Sequence, residues 1–157
     1  MKKLIYSIAL LAVFVTLAAS CQKDDGDGTT PAEDTSDLFK LTDNGVRYST
    51  WNVIKRHENG FIAAGAPNSF TSAYGIAMPE AIAPGTYELS PTSLVQVTKT
   101  ENSGSTTYIA QSGTMTITKH DMAAKYVAGT FSGVIAVPGS SPVQSRTITD
   151  GEFRVNY

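Results

Sequence analysis

Tyr126-Val127-Ala128-Gly129-Thr130-Phe131-Ser132-Gly133-Val134-Ile135-Ala136-Val137 is the stretch on which the fold reading turns. Alternation along an extended chain puts Val127, Phe131, Ile135 and Val137 on one side, with Gly129 and Gly133 between them on that same side. Glycines inside a strand mark a bulge, a sharp bend, or a place where a ring from a neighbouring strand lies across the backbone. The expected role is a bend that serves closure or sheet switching.

Two further stretches share this period of two. Met115 and Ile117 alternate with Thr114, Thr116 and Thr118, and Phe153, Val155 and Tyr157 alternate with Glu152, Arg154 and Asn156, so these strands have one wet face. Turn pairs punctuate the chain at Asn44-Gly45, Asn59-Gly60, Pro84-Gly85, Ser103-Gly104, Pro138-Gly139 and Asp150-Gly151. No segment shows helical periodicity, and Asp121 to Lys125 has room for a single turn. The reading is an all-β domain over residues 38–157, with about eight to ten short strands in a β-sandwich or a partly closed antiparallel barrel.

The first 37 residues have a different character. Lys2 and Lys3 precede an almost unbroken apolar run from Leu4 to Leu17, and Ala18, Ala19 and Ser20 supply the small residues that a signal peptidase requires. Residues 1–20 are therefore expected to be a signal peptide, with no later stretch long or apolar enough to span a bilayer. Cys21 is the only cysteine, which excludes an internal disulfide. Residues 22–37 contain six acidic residues, one lysine, two glycines and a proline, with no large apolar side chain before Leu38. Such a segment buries too little surface to offset its conformational entropy, and residues 21–37 read as a lipidated cysteine and a disordered acidic tether.

The run Leu17-Ala18-Ala19-Ser20-Cys21 resembles a bacterial lipobox, with Leu17 one place further from the thiol than is usual. The resemblance implies a diacylglyceryl group on Cys21 and anchorage to a membrane. Gln22-Lys23-Asp24-Asp25 is similar to the acidic export signal of surface lipoproteins in Bacteroidota, although acidic residues also simply keep a linker solvated. Gly85-Thr86-Tyr87, Gly113 to Asp121, Gly129 to Gly133, and Ile148 to Phe153 resemble a family of small Bacteroidota lipoproteins catalogued as a domain of unknown function. That resemblance implies a lipid anchor at the outer membrane and a β-rich body, and no activity.

Composition and motifs exclude several kinds of chemistry. From Leu38 onward, nine Lys and Arg face eight Asp and Glu, so no basic surface for nucleic acid is expected. His57 and His120 are the only histidines; both precede turns and read as solvated turn residues rather than metal ligands. Asp24-Asp25-Gly26-Asp27-Gly28 lacks the glutamate that would complete a calcium loop. Phe131-Ser132-Gly133 lacks the glycine a nucleophile elbow needs, and no phosphate-cradling loop leads into a helix. Neither a cofactor nor a catalytic residue is expected.

Four aromatic residues, Tyr48, Trp51, Phe70 and Tyr74, are the candidate ligand-binding set, since flat rings stack on sugar or peptide faces. The competing reading packs Trp51 into the core, which is favoured for a lone large ring. Ala66-Pro67-Asn68-Ser69 is the expected binding-rim loop. The functional expectation is a non-catalytic envelope module that binds a glycan or a peptide or serves as an accessory subunit. Two alternatives stand beside it. One is a hydrolase built from scattered carboxylates among Glu80, Glu88, Glu101, Asp121, Asp150 and Glu152; the other is a structural subunit that assembles by edge-strand pairing.

Overall fold

The computed structural model describes residues 34–157. The signal peptide, Cys21, the aspartate-rich run at 24–28 and most of the expected tether lie outside the described residues.

The body contains ten strands: β1 (Leu38–Asp43), β2 (Val46–Thr50), β3 (Ile54–Glu58), β4 (Phe61–Ser69), β5 (Ser72–Pro79), β6 (Gly85–Glu88), β7 (Gln96–Glu101), β8 (Thr106–Asp121), β9 (Tyr126–Ala136) and β10 (Ser145–Asn156). Their only helical interruption among the described residues is a single 3-10 turn at Asn102–Gly104. Asn44-Gly45 and Asn59-Gly60 form two-residue hairpin turns in which all four residues have positive φ, between 46° and 84°, the backbone that matches strand twist. Asp150-Gly151 is not a turn. It sits inside β10, where both neighbouring strands register one extra residue, and Asp150 adopts a φ of 52°. The turn chemistry is there, and the ladder on both sides converts it into a bulge. The last three strands are long, at 16, 11 and 12 residues, where short ones were expected.

All ten strands belong to one antiparallel sheet in the order β2-β1-β10-β9-β8-β7-β5-β4-β3, with β6 beside β8. The architecture is a partly closed barrel. Its outermost strands, β2 and β3, are consecutive in sequence and joined only by residues 51–53. Four Cα steps reach at most about 15 Å, so the end of β2 and the start of β3 bring the two edges of the sheet within that distance. The chain from Val46 to Glu58 is in effect one kinked path that pairs first with β1 and then with β4. Side chains bridge the seam where no ladder exists. The Tyr48 hydroxyl donates to the Pro67 carbonyl, Lys55 donates to Asp37 at 2.6 Å, and the His57 ring meets Tyr157 edge-on at 5.1 Å.

The connections β1–β2, β4–β5, β7–β8 and β9–β10 form one end, here the upper, held together by Asn44 to Thr147 and Ser103 to Thr71 backbone bonds. The β3–β4, β5–β6 and β8–β9 connections form the lower end. The compact unit begins at Asp34, four residues before β1. The Arg154 guanidinium donates to Asp34, and Asn156 donates to Thr35 and Asp37.

Inside lie Phe39, Ile62, Met78, Met115, Phe131, Ile135 and Phe153 with smaller neighbours, each worth about 1.5 to 3 kcal/mol for the burial of a large apolar side chain. Gly129 exists because of this packing. A Cβ there would sit 2.7 Å from Phe153 Cζ and 2.4 Å from the Thr116 carbonyl oxygen, so a ring crosses the backbone at this glycine. At Gly133 it is backbone that approaches, with Ser112 O only 2.2 Å from a Cβ.

Candidate functional site

The structure divides the four aromatic candidates. Tyr48 and Tyr74 meet inside the upper end, with ring centroids 5.2 Å apart. Phe70 is fully exposed at the tip of the β4–β5 hairpin, and Trp51, 63% exposed in the β2–β3 link, is no core plug. The partner switch explains this: the link leaves one edge of the sheet for the other, so Trp51 has no facing strand to cover it. Ala66–Ser69 belongs to β4 rather than to a loop; only Pro67 to Phe70 edges a shallow hollow, of about 290 Å3.

Beneath the upper end lies an ionic cluster. Asp43 of β1 accepts from Lys99 Nζ at 2.8 Å and from the Tyr74 hydroxyl at 2.9 Å, with Arg146 at 3.4 Å. Glu101 accepts from Lys99 and from Arg146 at 2.8 and 2.9 Å. Lys99 also lies over the Tyr74 ring and Arg146 over Tyr108, each at 5.2 Å. Burial by itself would push the Asp43 carboxyl up, but Lys99, Tyr74 and Arg146 outweigh it and hold the group below its usual range. The Lys99 hydrogen bond, ahead of burial, likewise holds Glu101 low. Lys99 is held above its ordinary value, since Asp43 and Glu101 override desolvation. Burial, reinforced by Asp43, pushes the Tyr74 phenol up to about 12. Two negative and two positive charges thus cancel, and none is poised to exchange a proton near neutrality.

Sequence reading missed this cluster, yet a signal was present. Lys99 and Glu101 stand in phase with the apolar Val95 and Val97, Asp43 with Phe39 and Leu41, and Arg146 with Ile148. Alternation that continues into charged residues points those charges inward.

Neither histidine lies in a turn. His57 lies in β3 with Nε2 2.9 Å from Glu80. His120 at the end of β8 places Nδ1 2.7 Å from the Ile82 carbonyl, so that nitrogen carries a proton, and Nε2 lies 2.8 Å from the Tyr157 hydroxyl. Together they strap the lower end across β3, the 80–84 segment, β8 and the end of β10.

On the outer surface the β10 bulge shapes two adjoining hollows. One, of about 370 Å3, is lined by Lys40, Thr114, Thr116, Thr130, Ser132, Asp150 and Glu152 around Gly151. The other, of about 450 Å3, shares Lys40 and Asp150 and extends to Arg47, Tyr48 and Ser49. Gly151 lines the first hollow with its backbone, while a Cβ there would point inward and collide with the Phe131 ring at 2.6 Å. The bulge turns Asp150 outward, where Thr42 and Thr149 donate to it. Hydroxyl groups on β8 and β9, two carboxylates and one ammonium share this surface.

Two more of the candidate acids have structural partners. Asp121 accepts from the Ala124 amide, and Glu152 pairs with Lys40. Among the described residues no three His, Cys, Asp or Glu side chains are grouped to hold a metal ion. Comparison with family models, with curated proteins and with solved structures finds no match to this chain.

Proposed function

We propose that this chain is an exported lipoprotein, tethered to the outer membrane through an acylated Cys21, whose barrel is a non-catalytic binding or accessory module. The support at the N-terminus is the lipobox-like run ending at the sole cysteine, followed by acidic, polar sequence. For the body, the carrying observation is the neutralised interior: the most deeply buried charges are paired with one another and open into none of the hollows described. Interaction therefore belongs to the outer surface.

The surface around Gly151 fits a polyhydroxylated ligand such as a glycan, because threonine and serine hydroxyls both donate and accept while carboxylates accept from sugar hydroxyls. A glycan array probed with the full chain tests this. Retention on a defined set of glycans, lost in a Thr116→Val/Thr130→Val variant that still folds, is the expected result. Silence across the array together with no envelope partner in a pull-down sinks the binding-module reading. Mass spectrometry of native material tests the anchor, and a bare Cys21 thiol rejects it.

A further inference from the structure

Polar cross-strand rows cover the outer faces of β2, β1, β10, β9, β8 and β6, which follow one another in the sheet. Phe39, Leu41, Met115, Ile117, Phe131 and Phe153 are buried, so the residues that alternate with them point outward. In one row Thr86, Thr116, Thr130, Glu152, Lys40 and Ser49 stand side by side, each opposite the next. The parallel row runs from Glu88 through Thr114 and Ser132 to the β10 bulge, and beyond it from Thr42 to Arg47. Neighbouring strands lie about 4.8 Å apart, so the four strand spacings from Thr116 to Arg47 cover about 19 Å of surface. No single sugar spans that distance. A linear chain laid across the strands does, and both outer hollows lie along its course.

The charged groups on these rows differ in what they already hold. Lys40 is taken by Glu152 at 2.5 Å. Asp150 accepts the hydroxyls of Thr42 and Thr149 at 3.1 and 3.2 Å, and a carboxylate with two such bonds has lone pairs left for a ligand hydroxyl. Arg47 is exposed and has no ion-pair partner among the described residues. It stands directly across from Thr42. The hollow of about 450 Å3 therefore sets Asp150, Thr42 and an unpaired guanidinium beside one another.

Resting on the glycan reading, we infer that the ligand is a linear acidic glycan whose carboxylate is held by Arg47. A guanidinium presents a planar fork that meets a carboxylate at two points. A uronate unit brings that carboxylate together with ring hydroxyls, which donate to Asp150 and to the Thr42 oxygen. Further units extend toward β8 over the hollow around Gly151, where Thr116, Thr130 and Ser132 meet sugar hydroxyls. Arg47 is thereby the specificity-determining residue. A chain without the acid loses the charge-assisted bonds and keeps the rest.

The test applies the full chain, in detergent, to immobilised oligosaccharides of galacturonate, of mannuronate and of mixed glucuronate chains. Each stands beside its carboxyl-reduced form, in which the same sugars are neutral. The expected result is retention on a uronate chain about 10- to 100-fold tighter than on its reduced partner, weakened by added salt. Arg47→Gln lowers that affinity to the level of the reduced chain and leaves binding of the reduced chain unchanged. Arg47→Lys, which keeps the charge and loses the fork, falls between the two and is read instead should Arg47→Gln fail to fold. Lys125→Gln, which removes an exposed positive charge at the lower end, changes neither affinity. Equal affinity for the uronate and reduced forms rejects the acidic ligand while the glycan reading stands. A preference for uronate that survives Arg47→Gln rejects Arg47 as the residue that holds it. Silence on every chain, acidic and neutral, rejects the acidic ligand and the glycan reading together.

Discussion

Lys99 and Asp43 meet inside the barrel with Nζ 2.8 Å from Oδ2, although β7 and β1 are not neighbours in the sheet. Both side chains are 5% exposed. Removing Lys99 takes away the nearer of two cations that balance Asp43 and leaves Arg146 shared between Asp43 and Glu101, so Lys99→Met is expected to cost about 3 kcal/mol by urea denaturation. The Asp43→Asn/Lys99→Met double variant should lose clearly less than the sum of the singles. Additive losses would show that the two charges are solvated independently.

Stability should be flat from about pH 5 to about pH 9.5 and fall on either side. Asp43 and Glu101 have lowered folded-state pKa values, so their contribution is present above the unfolded carboxylate range near 4 and is lost as pH falls through the lowered values. Lys99 is raised and Tyr74 is pushed up to about 12. Their contributions are complete below the unfolded values, near 10 for both, and are lost as pH rises through the folded ones. Urea midpoints measured across pH check this, and a steady slope through neutrality would assign control to other groups.

Gly129→Ala should destabilise by about 3 kcal/mol, because the new methyl meets the Phe153 ring and the Thr116 carbonyl at once. Gly45→Ala is the control. It has no atom within 4 Å of the added Cβ and only the strain of a φ of 84°, worth about 1 kcal/mol. Thermal denaturation of the two variants should rank them in that order; equal losses would mean that turn strain, not packing, sets both.

Tyr48→Phe removes the side-chain bridge between β2 and the Pro67 carbonyl and should cost about 1 kcal/mol. The loss should be local. Hydrogen exchange is expected to speed up at β2 amides and the upper part of β4, with the β8–β9 ladder unchanged. Uniform acceleration would mean that the seam is not a separate opening unit.

Much of the local structure was legible because a strand's two faces see different solvents. Phe153, Val155 and the Met115-Ile117 pair are buried as their alternation predicts, and Asn44-Gly45 and Asn59-Gly60 turn because few other residue pairs tolerate two positive φ values in a row. Asp150-Gly151 shows the limit of such reading. The same dipeptide chemistry makes a hairpin turn or a bulge, and long flanking partners on β1 and β9 decide for the bulge.

Trp51 and Lys99 exchanged the places that residue type alone would assign them, the ring outside and the ammonium inside. Hydrophobicity orders residues by the cost of burial in isolation, whereas Lys99 is buried with Asp43 and Glu101 already in place to receive it.

Strand character, the Asn-Gly hairpin turns and the all-β class came from the amino-acid order itself, since each depends on side chains within a few residues of one another. The choice of barrel over sandwich and the meeting of Asp43 with Lys99 and Arg146 were decided only by tertiary structure. Each of these depends on which distant strands become neighbours, and that follows from packing the whole core at once rather than from any local preference.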